Sequence, residues 1–254
     1  MKINNLEKFL AKIKAGECPL GGCVSLADPL VTEIVAAAGY DFVFIDGEHG
    51  EIDRNTALQH LMAVKGTDCA SLYRVPCCDH TEIKKIIDFC PAGIIVPMVM
   101  NAEQAAEAIA AMRYPTVGNR GVGFRRGVNY EPVTDEYWRL SEHEPLTILQ
   151  IEHIDAVRDL DRILALPGLD SVLVGPYDLS ASMGKAGQWD DPEVKEAFDT
   201  VARKAHEAGV LLGVSLETEF AAWKRRGVDY MAVRSDTGAM MEGFRNSIRA
   251  FRNA

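Results

Sequence analysis

The sequence predicts an α/β fold, a single (β/α)8 barrel (TIM barrel) spanning residues 1–254, on three observations. Eight short apolar runs alternate with eight longer amphipathic stretches from one end to the other. The runs are continuously apolar, as in GIIVPMV and SVLVG, which is the pattern of parallel strands covered on both faces. The length, 254 residues, matches one such barrel of about 250 residues. A doubly wound open sheet is the competing architecture. It normally has fewer units and a glycine-rich first turn, whereas here that turn, Ser25-Leu26-Ala27-Asp28-Pro29, has no glycine.

The expected strands are Gly21–Leu26, Asp41–Ile45, Ala70–Val75, Gly93–Val99, Leu146–Ile151, Ser171–Val174, Leu211–Leu216 and Tyr230–Val233. The expected helices are Pro29–Ala38, Asn55–Val64, Thr81–Phe89, Ala102–Arg113, Asp155–Leu166, Pro192–Ala208, Glu217–Arg226 and Thr237–Phe251. A further amphipathic helix at the N-terminus carries Leu6, Phe9, Leu10 and Ile13 on one face. Gly39, Gly66, Gly209 and Gly227 mark helix ends, and Asp28, Asp53, Thr81, Asn101, Asp191 and Thr218 lie near helix starts, where their side-chain oxygens can cap. The charged, glycine-spotted stretch from Tyr114 to Glu144 breaks the rhythm. Placed after the fourth strand, it reads as a lid over the barrel mouth.

Composition excludes some partners. A net charge of −10 repels nucleic acid and anionic lipid. The N-terminus lacks the apolar core of a signal peptide, and no run approaches the ~18 apolar residues of a membrane span. Six cysteines without CxxC spacing, two of them adjacent at Cys77 and Cys78, suit reduced thiols of a cytoplasmic protein.

Catalytic groups of such barrels sit where strands end at the C-terminal face. The second strand ends in Asp46, Glu48 and His49, the third in Arg74, the fifth in Gln150, Glu152 and His153, the sixth runs into Asp178, and the eighth ends in Arg234 and Asp236. Glu152 and Asp178 come from adjacent strands, so a hard divalent cation could neutralise the pair; the alternative is that one pairs with an arginine or that Asp178 caps a turn. His49 is either a proton carrier or an ordinary surface histidine. Arg74 closes an apolar strand and therefore faces an anion, structural or substrate. The loop Gly118–Gly123 is glycine-rich, but the loop after the seventh strand, Leu216-Glu217-Thr218-Glu219, is acidic, which disfavours a phosphosugar.

IDGEHG (45–50), RVP (74–76) followed by Asp88, VPMV with NAEQA (96–105), RYP with GNRGVG (113–123), QIEH (150–153) and GPYDLS with SMG (175–184) together resemble the HpcH/HpaI, or class II pyruvate, aldolases. The resemblance runs from about Gly21 to Asp236. It implies Glu152 and Asp178 as ligands of a divalent metal (Mg2+, Mn2+ or Co2+) that chelates pyruvate, and Arg74 as the group stabilising the enolate. It implies His49 as acid–base group with Asp88 as its carboxylate partner, and Asp46 as a support beside a water on the metal. Gly175, Pro176 and Ser180 would shape the pyruvate site, and Gln150 and Arg234 join them as substrate-binding candidates. The implied reaction is reversible cleavage of a 4-hydroxy-2-oxo acid to pyruvate and an aldehyde, without a Schiff-base lysine: Lys84, Lys85 and Lys185 end no strand. The implied assembly is a homo-oligomer, a hexamer built as a trimer of dimers, with the last helix exchanged between subunits. The alternatives are a CoA-thioester lyase of the citrate lyase β-like branch and a non-catalytic barrel that binds a 2-oxo acid.

The sequence departs from the family pattern in three places. Gly50-Glu51-Ile52 follows the histidine where proline is usual, Arg234-Ser235-Asp236 stands for a small residue pattern, and Arg125 and Arg126 lie together in the long stretch. The three arginines raise the expectation of an acidic acceptor aldehyde.

Overall fold

The computed structural model describes residues 1 and 3–254. Eight parallel strands close into a barrel in sequence order: β1 (Leu20–Val24), β2 (Phe42–Asp46), β3 (Ala70–Arg74), β4 (Gly93–Val96), β5 (Leu146–Ile151), β6 (Ser171–Val174), β7 (Leu211–Ser215) and β8 (Tyr230–Ser235). Helix α1 (Leu6–Lys14) precedes the barrel; α2 (Pro29–Ala37), α3 (Arg54–Ala63), α4 (His80–Ile87) and α5 (Ala102–Met112) follow the first four strands. Then come α6 (Asp135–Ser141), α7 (Ile154–Arg158), α8 (Leu160–Leu164), α9 (Pro176–Ser182), α10 (Pro192–Glu207), α11 (Phe220–Arg225) and α12 (Asp236–Arg252). Among the described residues no helix is long and apolar enough to cross a membrane.

The continuous apolarity of the strands divides into two packed layers. Phe42, Phe44, Leu72, Ile95, Ile148, Leu173 and Tyr230 fill the barrel, while Val43, Ile45, Ile94, Leu149, Val172 and Val214 pack against the helices. Leu6 and Phe9 of α1 complete the interior cluster and plug the end where strands begin. There Phe9 meets Phe42 at 5.5 Å and Tyr230 at 5.3 Å, edge to face, a preferred aromatic geometry. Two glycines make room for these rings: a Cβ at Gly21 would lie 2.2 Å from Phe42, and one at Gly213 would lie 2.3 Å from Tyr230.

Most boundaries fall within two residues of expectation, and the exceptions have local causes. β4 stops at Val96 because Pro97 has no N–H to donate and Met98 turns into the left-handed region at φ 53°. β1 stops at Val24 because the amides of Ser25 and Leu26 donate to the Asp236 carboxylate at 2.9 and 3.0 Å instead of to a strand. β8 runs on to Ser235 because its backbone pairs with Gly22 and Cys23 of β1, closing the barrel despite polar side chains. The helix expected over 155–166 is split at Asp159, whose carboxylate caps Ala102 of α5 at 2.8 Å. That expected from Glu217 begins only at Phe220, because Glu217 is held by Ser235 and Arg234.

The stretch from Tyr114 to Glu144 corrects the expectation of a lid. It follows α5, not β4, so it lies between a helix end and the start of β5, at the barrel end opposite the mouth. It is ordered by an aromatic cluster: Tyr114, Phe124, Tyr137 and Trp138 meet edge to face at 5.3–5.9 Å, and the Tyr114 and Tyr137 hydroxyls are 2.8 Å apart. Arg126 is buried there and donates to the carbonyls of Phe89 and Leu61 at 2.6 and 2.7 Å. Arg126 is structural, and with Arg125 beside it in the same segment neither arginine stands at the mouth to meet an acidic acceptor.

Candidate active site

The strand register assembles the first half of the site. Asp46 of β2 and Arg74 of β3 are direct cross-strand partners at the C-terminal ends of their strands. The guanidinium grips the carboxylate with two bonds, Nε to Oδ1 at 2.9 Å and Nη2 to Oδ2 at 2.7 Å. It also lies over the Phe44 ring at 5.2 Å. Burial works against the Asp46 charge, but Arg74 and the amides of His49 and Glu48, both donating to Oδ1, hold its pKa below the usual carboxylate value. The same pair, opposing burial, holds the guanidinium pKa up. The third contact is Nη1 to Glu48 Oε2 at 2.8 Å, an ion pair without hydrogen-bond alignment, which leaves that buried carboxylate oxygen accepting no bond. Of five guanidinium N–H groups two are bonded to Asp46 and one on Nη1 is turned toward Glu48, so one on each terminal nitrogen remains for a ligand.

The second half rises from β5. Gln150 and Glu152 stand two residues apart and so point to the same face of the strand line. Gln150 Nε2 donates to Glu152 Oε2, and the Met98 amide donates to Oε1 at 2.7 Å. Glu152 is 2% exposed, and its pKa is pushed up to about 7, by burial first and then by the charges of Glu48 and Asp178, against the pull of the Met98 amide. Gly175 is needed here for space: a Cβ would lie 2.5 Å from Glu152 Oε2 and 2.9 Å from Gln150 Nε2. Asp178 sits exposed in the first turn of α9, which Pro176, buried, begins.

Some expected residues take other places. His49 stands on the turn after Asp46 with its ring largely in solvent, 3.8 Å from Glu48 Oε2. Asp88 does not reach it within the chain. It caps the C-terminal end of α4, at the opposite end of the barrel, and pairs with Arg120 at 3.2 Å. The Ser180 hydroxyl is spent on α9 and its loop, donating to the Tyr177 carbonyl at 2.9 Å and accepting from the Gly187 amide at 3.1 Å. Arg234 lines a mouth cavity of about 420 Å³ together with Cys23, Tyr177, Thr218 and Glu217, and is paired with Glu217 and Glu242. Two participants are not announced by the sequence. Glu48 was visible as a rim residue but not as the carboxylate bridging Arg74 and His49, and the Met98 amide depends on a left-handed backbone that VPMV does not announce.

Fold and site define an enzyme barrel whose mouth gathers carboxylates around Arg74 and Arg234, beside a solvent-facing histidine. The chain belongs to the HpcH/HpaI aldolase/citrate lyase family, whose model matches residues 22–239. It is similar to the 5-keto-4-deoxy-D-glucarate aldolases of Enterobacter sp. (strain 638), 34% identical over 91% of both chains, and of Klebsiella pneumoniae, 34% identical over 96% of both. Among solved structures it is similar to the HpcH/HpaI aldolase of Desulfitobacterium hafniense DCB-2, with TM-score 0.88 and 30% identity over 96% of each chain. It is therefore a lyase of the class II aldolase type; neither the CoA-thioester branch nor a non-catalytic binder is favoured by these relatives.

A divalent cation, on which this family generally depends, fits the residues present. Glu48 Oε2 and Gln150 Oε1 are buried acceptors with no hydrogen-bond donor, and Glu48 and Glu152 each have their pKa raised by burial and by neighbouring carboxylates. Among the described residues no three His, Cys, Asp or Glu side chains gather as a ready-made ligand set.

Proposed function

We propose that the chain reversibly cleaves a 4-hydroxy-2-oxo acid to pyruvate and an aldehyde, with Glu152 and Asp178 holding Mg2+, Mn2+ or Co2+. The observation that carries this reading is the surplus of carboxylate: besides burial, the charges of Asp46 and Asp178 push up the Glu48 pKa and those of Glu48 and Asp178 push up the Glu152 pKa, with Arg74 opposing both. When bound, the cation supplies a Lewis acid beside the 2-oxo oxygen.

In the cleavage direction His49, free in solvent, takes the proton of the 4-hydroxyl. The bond between the hydroxyl-bearing carbon and the neighbouring methylene then breaks, its electron pair passing to the 2-oxo oxygen to leave an enolate. The two unspent N–H groups of Arg74 donate to that oxygen, where charge exists only after the bond has broken, so they stabilise the transition state more than the substrate. The aldehyde is left behind, water protonates the methylene carbon to complete pyruvate, and His49 returns its proton to the solvent. Asp46 fixes the guanidinium, and Gln150 and the Met98 amide fix Glu152. Gly175 and Pro176 shape the floor of the pyruvate site, and Ser180 shapes it by holding α9.

The relatives are named for a six-carbon diacid. An equivalent diacid here would yield pyruvate and a three-carbon hydroxy aldehyde bearing its own carboxylate, with Arg234 at the cavity wall as its contact. The reading also keeps the homo-oligomer, a hexamer with α12 exchanged. Its support is the uncovered row Met240, Met241, Phe244, Ile248 and Phe251 on α12. Asp88 can serve His49 only across such an interface, from a second copy. Six free cysteines accord with a reducing, cytoplasmic compartment.

The test is deuterium exchange into the pyruvate methyl group, with and without EDTA, followed by cleavage of 4-hydroxy-2-oxo diacids coupled to lactate dehydrogenase. Exchange that stops on chelation and returns with Mn2+ is expected. Full exchange in the stripped protein would remove the metal, and absence of both exchange and cleavage would remove the reaction.

A further inference from the structure

The mouth cavity beside the proposed pyruvate site is walled by the ends of β1, β7 and β8 and by Tyr177, next to Asp178. Its strongest charge is Arg234, and that charge is already occupied. Nη1 lies 3.2 Å from Glu217 Oε2, and Nη2 pairs with Glu242 Oε2 of α12. The two carboxylates are held differently. Glu217 also accepts the Ser235 amide at 2.8 Å and the Ser235 hydroxyl, so it is fixed to the end of β8 by donors of its own chain segment. Glu242 has no recorded partner other than Arg234 among the described residues, and its side chain is 55% exposed. One guanidinium with two carboxylates leaves the cluster net negative, which disfavours an incoming anion unless one carboxylate leaves.

We propose that Glu242 is a specificity-determining residue: it occupies Arg234 in the place an acceptor carboxylate would take, and an acidic aldehyde binds only by displacing it. The cavity then discriminates by exchange of one carboxylate for another. A neutral hydroxylated aldehyde, which needs only Thr218, Ser215, Tyr177 and Ser235 around it, enters without disturbing the cluster. The proposal rests on the aldolase reading above and names the second substrate's charge as what α12 controls. The displaced pair is partly exposed, so its worth is that of a screened ion pair and the effect on rates is a fewfold change, not orders of magnitude.

The experiment compares kcat/KM for a three-carbon acidic hydroxy aldehyde and a neutral hydroxy aldehyde of equal length, condensed with pyruvate. Glu242→Gln should raise the acidic-to-neutral ratio about fivefold, mainly through KM of the acid, because the competing charge is gone. Glu242→Asp should fall between, since it keeps the charge with a shorter reach. In an Arg234→Ala background the same Glu242→Gln change should do nothing, as the two residues act through one contact. A ratio unchanged or lowered in Glu242→Gln, or one raised equally without Arg234, overturns the proposal. If Glu242→Gln does not fold, Glu242→Asp alone decides by whether the ratio rises. Failure of the aldolase reading shows separately: the unaltered chain would then exchange no pyruvate protons, whereas exchange with an unmoved ratio sinks only the role of Glu242.

Discussion

The two ends of the barrel bury comparable amounts of charge and treat it in opposite ways. At the closed end, where the strands begin, Phe9, Phe42 and Tyr230 seal the interior. Arg126 spends itself on two carbonyls, and Arg120 stacks on the Tyr114 ring at 4.5 Å while pairing with Asp88. The nearby cavity, about 310 Å³, has a wall rich in apolar groups: Ile3, Val128, Pro132 and Leu140. What is left over at this end is chiefly arginine N–H, the Arg120 Nε and Nη1 and the Arg113 Nε, with the Thr147 hydroxyl at the start of β5. At the mouth the leftovers are acceptors, Glu48 Oε2 and Gln150 Oε1, beside a glutamate that resists ionising. A buried acceptor surplus is costly unless a cation arrives, so the mouth is the end arranged for a ligand and the closed end is arranged for stability.

The most severe way to break that contrast is Glu152→Gln. It should lower turnover by on the order of a thousandfold and abolish tight Mn2+ binding, read by calorimetry, while the metal-free protein melts no lower. An equal loss of thermal stability would mean that Glu152 belongs to the scaffold. At the closed end Phe9→Ala should do the reverse, costing about 3–5 kcal/mol in denaturant unfolding with kcat of the folded fraction preserved.

A third, smaller effect is linked to pH. Glu152 holds its proton in the folded, metal-free chain up to about pH 7, whereas an unfolded glutamate releases it near 4.5. Because the folded value is the higher one, this stabilisation is complete below about 4.5 and is lost as pH rises through 7, amounting to about 3 kcal/mol. Urea unfolding in EDTA from pH 4 to 8 checks it, and in Glu152→Gln this part of the slope should vanish. Metal binding must expel the same proton, so Mn2+ affinity should climb between pH 5 and 7. The smallest expected effect on stability is that of Asp88→Asn, at most about 1 kcal/mol for a partly exposed pair. Its effect on kcat sharpens the comparison: a large loss in a concentrated oligomer that is absent in a dissociated protomer would make the closed end of one copy part of the mouth of another.

Much of this was legible in the residues themselves. Strand continuity, helix-ending glycines and chain length were enough for a barrel, because period, caps and apolar runs are local properties that survive without coordinates. Gly39, Gly66, Gly209 and Gly227 do take positive φ, from 68° to 90°. The rim residues Asp46, Arg74, Gln150, Glu152 and Asp178 were legible too, since a parallel strand delivers its last residues to one end of a barrel. Partnership was not. That Asp88 meets Arg120 within its own chain, that Ser180 holds a loop, and that Arg126 is structural depend on which helix end each occupies, and helices run back against the strands they follow.

The sequence by itself determined the barrel, its open face and the carboxylates that line it, because hydrophobic periodicity and strand direction are written residue by residue. Only the tertiary structure decided which charges are spent and which are left over. That balance depends on neighbours far apart in the chain, such as Met98 with Glu152 and Ser25 with Asp236, brought together by closure of the sheet.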